Sequence, residues 1–130
     1  MSSKVVVRHL DGQVIKGYTD DFSPGKEWFH LVQPGAPENP IMVPLKEIKA
    51  VFFVKDFAGD PSRKDVEGFS EHRQMGKEVF LEFMDGERMW GFSMNYSADS
   101  QGFFVFPADK GGNNEKIYVN NAAVTYVLYD

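Results

Sequence analysis

Two stretches of this chain read alike, and that likeness constrains the fold more than any other feature. "KVVVRHLDGQVIKGYTD" begins at Lys4 and "KEVFLEFMDGERMWGFSM" begins at Lys77. A shift of 74 positions sets Val5 on Val79, Val7 on Leu81, Asp11-Gly12 on Asp85-Gly86, Gly17 on Gly91 and Phe29 on Phe103. A length change in the following loop moves the shift to 76, which sets Ile41 on Ile117, Val43 on Val119, Ile48 on Val124 and Val51 on Val127. Self-similarity at one long period implies an internal duplication.

Each copy reads as short strands. Val5, Val7 and His9 alternate with Val6, Arg8 and Leu10, and Val79, Leu81 and Phe83 with Phe80, Glu82 and Met84. Alternation of this kind places Val5 and Val79 on a buried face and the charged Arg8 and Glu82 on a wet one. Asp-Gly between two such runs signals a hairpin with a tight primed turn. Gly17 and Gly91 stand mid-strand, where glycine marks a bulge or a sharp bend. Third strands are expected at Trp28–Val32 and Phe103–Phe106, fourth strands at "IMVP" and "KIYV", and a single 3₁₀ turn at "LKEI" and "NNAA" before a closing strand. Five short strands with a bent second strand and a one-turn connection before the last describe a small SH3-like or Sm-like barrel.

The expected fold is therefore all-β, with two tandem five-stranded barrels: residues 1–54, a linker at 55–76 and residues 77–130. A unit of about 50 residues is marginal alone, so the barrels are expected to pack together through their aromatic surplus: Trp28, Phe52, Phe53, Trp90, Phe92, Phe104, Phe106, Tyr126 and Tyr129. Phe57 and Phe69 are expected to tack the linker to a barrel.

Composition narrows the function classes. The 130 residues include no cysteine, which excludes a disulfide scaffold and thiolate chemistry. No signal peptide is evident after Met1, and no apolar run approaches the ~20 residues of a membrane helix, so a cytoplasmic location is the expectation. Net charge is -5, and residues 77–130 carry eight acidic groups against four basic ones. That balance opposes nucleic-acid binding, which depends on basic groups displacing counterions.

Across nearly its whole length, through "DGQVIKGYTDDFSPGKEWFHLV", "VPLKEIKAVFFVKDFAGDP" and "GFFVFPADKGGNNEKIYVNNAAV", the chain resembles an uncharacterised bacterial family of domains of unknown function. Members of that family look like tandem small barrels. Some are similar to segments that accompany PilZ and receiver signalling modules, which implies a regulatory or adaptor setting. The resemblance carries no catalytic residues.

Individual motifs point to little chemistry. "DDFSPG", Asp20 to Gly25, fits the start of a cyclic-dinucleotide loop through Asp21-Phe22-Ser23, but its glycine comes one residue early. No arginine pair precedes it to grip phosphates and guanine edges. As a turn, the same residues need only Ser23-Pro24 to initiate and Gly25 to take a positive φ. His9, His30 and His72 lack metal-ligand spacing, and each of the first two occupies an aromatic position of the other copy. No nucleophile elbow and no glycine-rich phosphate loop opening a helix is present.

The expected function is a non-enzymatic interaction or adaptor module in bacterial signalling or regulation, with no cofactor and no metal. It would bind a protein partner, and a homo-oligomer is compatible with it. Trp28, His30, Trp90, Phe92, Phe104 and Phe106 are the candidate interaction or inter-barrel residues. The alternative is an Sm-like binder of nucleic acid or a cyclic dinucleotide.

Overall fold

The computed structural model describes residues 2–59, 68–69, 76–109 and 111–129. Strands β1 (Ser3–His9), β2 (Val14–Thr19), β3 (Trp28–Leu31), β4 (Ile41–Pro44) and β5 (Ile48–Val54) form the first half. Strands β6 (Lys77–Phe83), β7 (Arg88–Ser93), β8 (Gly102–Pro107), β9 (Asn114–Asn120) and β10 (Val124–Tyr129) form the second. One 3₁₀ turn, Leu45–Glu47 or Asn121–Ala123, precedes the last strand of each half, as the sequence leads one to expect.

Both Asp-Gly hairpins close in the same way, though not by the two-residue primed turn. In the first, the His9 amide donates to Gln13 O and the Gly12 amide to His9 O; Phe83, Glu87 and Gly86 repeat this in the second. Only the glycines take positive φ, 93° at Gly12 and 91° at Gly86, and no non-glycine residue does among those described. A three-residue loop with glycine at the left-handed position has this signature. Asp11 and Asp85 each accept the amide two residues on, from Gln13 and Glu87. Gly17 and Gly91 are not bulges, since pairing runs through both without a register shift. The next strand instead crosses so closely that a Cβ would lie 2.6 Å from Val32 O or 2.5 Å from Phe106 O.

The two tandem closed barrels expected from sequence are not what the chain builds. Eight strands form one sheet in the order β10-β6-β7-β8-β9-β5-β1-β2, with β3-β4 as a separate pair. A bridge between Tyr18 and Val32 links β2 to β3. Among the described residues neither half closes on itself, and the halves join by antiparallel pairing of β5 with β9, with the Phe53 ring 6.2 Å from that of Phe104 across the join. The reason lies in β5, "IKAVFFV", whose seven residues are all buried. A strand that is apolar on both faces cannot present one face to water, so it belongs inside a sheet.

The consequence is two cores, one on each side of the junction. Val5, Val7, Phe29, Leu31, Val43 and Leu45 pack with Ile48, Val51 and Phe53 of β5, and β9 sends Tyr118 to join them. Ala50, Phe52 and Val54 point the other way, into a core built from Val79, Leu81, Phe83, Phe103, Val105, Ile117 and Val119. Ile48 shares a core with Val51 because the ladder shifts by one residue at Lys49.

Tyr118 is fully buried in the first core, and its hydroxyl has no hydrogen-bond partner among the described residues. Burial pushes its phenol above the usual tyrosine range. An unmet buried hydroxyl costs about 1 kcal/mol or more, so Tyr118→Phe is expected to raise the unfolding free energy by about that amount in urea titration. A raised folded-state pKa stabilises fully below the unfolded value near ~10 and is lost as pH rises through the folded one. The wild-type chain should thus lose stability in strong alkali more steeply than Tyr118→Phe.

Candidate docking face

The six candidate interaction residues do not converge. Trp28 lies on β3 at 46% exposure. His30, also on β3, gives its backbone amide to Asp21 Oδ1 at 2.9 Å, and its Nδ1 lies 2.8 Å from Asp21 Oδ2. Burial pushes the Asp21 carboxyl up, but the hydrogen bonds from His30 and Thr19 outweigh it and leave the group below its ordinary value. The "DDFSPG" loop thus commits its Asp21 carboxylate to holding β3. Phe104 and Phe106 are half-buried on β8. Phe92 is fully buried on β7, with the Phe69 ring 5.8 Å away. Phe57 meets Tyr18 at 5.2 Å, so each described phenylalanine of the 55–76 segment packs on a second strand. The rest of that segment, with His72, lies outside the described residues.

Trp90 leads to a patch. It stands opposite Phe80, which stands opposite Leu128. The Phe80 ring is 5.1 Å from Trp90 and 6.1 Å from Tyr126. Tyr126 and Leu128 are 51% and 57% exposed. These four side chains share the face of β6, β7 and β10 that turns away from the second core, with Glu82 and Arg88 beside them. Phe80 and Leu128 are the members that aromatic counting missed. The signal was present, because the strand alternation puts Phe80 on the same wet face as Glu82.

The first half shows what such a face does. Phe80, Tyr126 and Leu128 correspond to Val6, Ala50 and Phe52 of the first half. Those three pack against the second core. In the second half the equivalent positions meet no core among the described residues. Apolar surface of this kind, rimmed by charge, is how protein-docking sites are built.

Two other clusters are polar. Lys49, with its side chain 9% exposed, donates to Asp85 Oδ2 at 2.7 Å and to Glu87 Oε1, and lies 4.5 Å from the centre of the Phe83 ring. Arg8 reaches Glu87 at 3.8 Å. The hydrogen bond from Lys49, then the Glu87 amide, hold the Asp85 carboxyl below its usual range. This cluster clips the start of β5 to the β6–β7 turn beside a groove of about 440 Å³ between the two Asp-Gly turns. A second groove, of about 630 Å³, is lined by Lys4, Lys55, Lys116, Phe53, Phe106 and Glu115. Lys116 Nζ sits 4.9 Å from the Phe53 ring centre and 5.0 Å from that of Phe104. Among the described residues no three histidine, aspartate or glutamate side chains gather as a metal site. No described helix is long and apolar enough to cross a membrane.

A family model described as a family of unknown function (DUF6982) matches residues 1–129. No curated protein and no solved structure matches the chain.

Proposed function

We propose that the chain, which belongs to that family of unknown function, is a non-enzymatic interaction or adaptor module that binds a protein partner through exposed aromatics. A role in bacterial signalling or regulation, in the cytoplasm, completes the proposal. We read its two halves as diverged copies of one Sm-like or SH3-like five-stranded unit. The common strand order, β5-β1-β2-β3-β4 against β10-β6-β7-β8-β9, supports that reading.

One observation carries the docking proposal: Phe80, Trp90, Tyr126 and Leu128 form a connected apolar patch, and the first-half counterparts of three of them, Val6, Ala50 and Phe52, are packed against the second core. Central aromatic anchors contribute about 2 kcal/mol or more each to an interface. Trp90→Ser combined with Tyr126→Ser is therefore expected to weaken partner binding at least ~30-fold while leaving the circular dichroism spectrum unchanged. A pull-down from native lysate compares the two proteins. A partner retained by the wild type and lost by the variant supports the proposal, and identical recovery by both sinks it.

The groove of Lys4, Lys55 and Lys116 favours a second reading, an Sm-like nucleic-acid binder. Lysines interleaved with Phe53 and Phe106 are the elements that hold a single strand. Glu115 and the acidic second half oppose it. Absence of binding to single-stranded RNA at low salt would remove this reading. A cyclic dinucleotide has less support, since Asp21 is engaged by His30.

A further inference from the structure

We propose that the open edge of β10 pairs with β10 of a second copy of this chain, antiparallel about a two-fold axis at Val127, so that the sheet runs on from one molecule into the next. The proposal is independent of the docking reading and starts from backbone directions. Phe83 donates to Glu87 O across the β6–β7 turn. In an antiparallel ladder alternate pairs exchange hydrogen bonds, so Phe83, Leu81 and Val79 turn their backbone groups to β7. Glu82 and Phe80 turn theirs to β10, where they meet Tyr126 and Leu128. Val127 and Tyr129 therefore point their N–H and C=O groups away from the sheet. Among the described residues no strand takes them.

The same accounting applied to β5 shows these groups in use. Val51 and Phe53 correspond to Val127 and Tyr129, and they face β9 opposite Tyr118 and Lys116. Pairing there leaves all seven β5 residues buried, whereas Thr125, Tyr126 and Leu128 of β10 stay exposed. The difference between these strands is the missing neighbour.

Head-to-tail repetition of the internal junction would lay β4 of another molecule on β10, because β4 corresponds to β9. The chain forbids it. The Leu45 amide donates to Glu27 O, so Leu45, Val43 and Ile41 face β3, and Pro40, Met42 and Pro44 face the open side. Two of those three have no N–H to give. Prolines on an edge are a standard block to strand addition, and they stand where β9 has Lys116 and Asn120. The β10 edge has no such guard: "VTYVLY" contains no charge, proline or glycine. Three of these strongly β-forming residues, Thr125, Tyr126 and Leu128, stay exposed, which on an open edge is an aggregation hazard, so the edge needs a cover that is always present. A second copy is the one partner found wherever the chain is. With Val127 opposite Val127, Tyr126 of each copy lies across from Leu128 of the other, and the two apolar faces become continuous.

Analytical ultracentrifugation and backbone amide exchange on the intact chain test this. The wild type should sediment at twice the chain mass. The amides of Val127 and Tyr129 should exchange about 15-fold more slowly at a total chain concentration 100 times the dissociation constant, where roughly 7% of chains remain monomeric, than in the dilute monomer. Leu128→Lys, which leaves the β6 ladder intact and adds a gatekeeper charge, should be monomeric with both amides unprotected. A wild-type chain that is monomeric at about 100 µM, where any stable dimer would be populated, overturns the proposal. So does an open-ended series of oligomers, or a dimer in which Val127 and Tyr129 exchange freely.

Discussion

Lys49→Glu is expected to lower the unfolding free energy by about 3–5 kcal/mol, the penalty for a buried charge facing like charges. The ammonium of Lys49 lies under the Phe83 ring and binds both Asp85 and Glu87. A carboxylate in its place would itself be buried and would face two other carboxylates. Lys49→Met separates charge from volume. It keeps the packing, and Asp85 and Glu87 are exposed enough to take water instead, so its effect should stay within about 1 kcal/mol. Urea titration of the three proteins checks the order. The Asp85 carboxyl is held low chiefly by the Lys49 hydrogen bond. A depressed carboxylate stabilises above its unfolded pKa of ~3.9 and loses that contribution as pH falls through the lower folded value. Lys49→Met should thus flatten the acid limb of the stability profile. An equal loss in Lys49→Glu and Lys49→Met would mean that packing, not charge, holds the clip.

Neither half should fold alone. Expressed separately, residues 1–54 would lack Tyr118 in their core and would leave Ala50, Phe52 and Val54 in water on an unpaired β5. The ring cluster around Phe22 would fail with them. Phe22 lies 5.1 Å from Phe29 and 5.5 Å from Phe53 in its own half, and 5.2 Å from Tyr118 and 6.0 Å from Phe104 in the other. Residues 77–130 would in turn lose the β5 wall of their core. Each fragment should show no cooperative thermal transition, and mixing the two should restore one. Independent melting of residues 1–54 would show that the shared sheet is incidental to stability.

The local elements were legible because local rules set them. The hairpin glycines, the two 3₁₀ turns and the alternation of Val5, Val7, Val79 and Leu81 follow from the chain within a few residues. What sequence reading missed was long-range. "IKAVFFV" reads as the closing strand of a barrel, yet apolar residues on both its faces call for two neighbours and two cores. Gly17 and Gly91 were recognised as special for the wrong cause. A crossing strand needs room there, and only the tertiary path supplies that strand. Phe92 and Trp90 looked equivalent as aromatics two residues apart, yet Phe69 lies against one and leaves the other at the patch. Lys49 carries no local signal of its role, since nothing near it in sequence announces Asp85 and Glu87.

The one-residue shift in the ladder at Lys49 has a wider meaning. By turning Ile48 toward one core and Ala50 toward the other, it makes a single seven-residue segment answer to two sets of packing demands. Its counterpart at the chain's far end answers to one. A substitution in β5 should therefore be felt on both sides of the sheet, and one at the core-facing positions of β10 on one side alone.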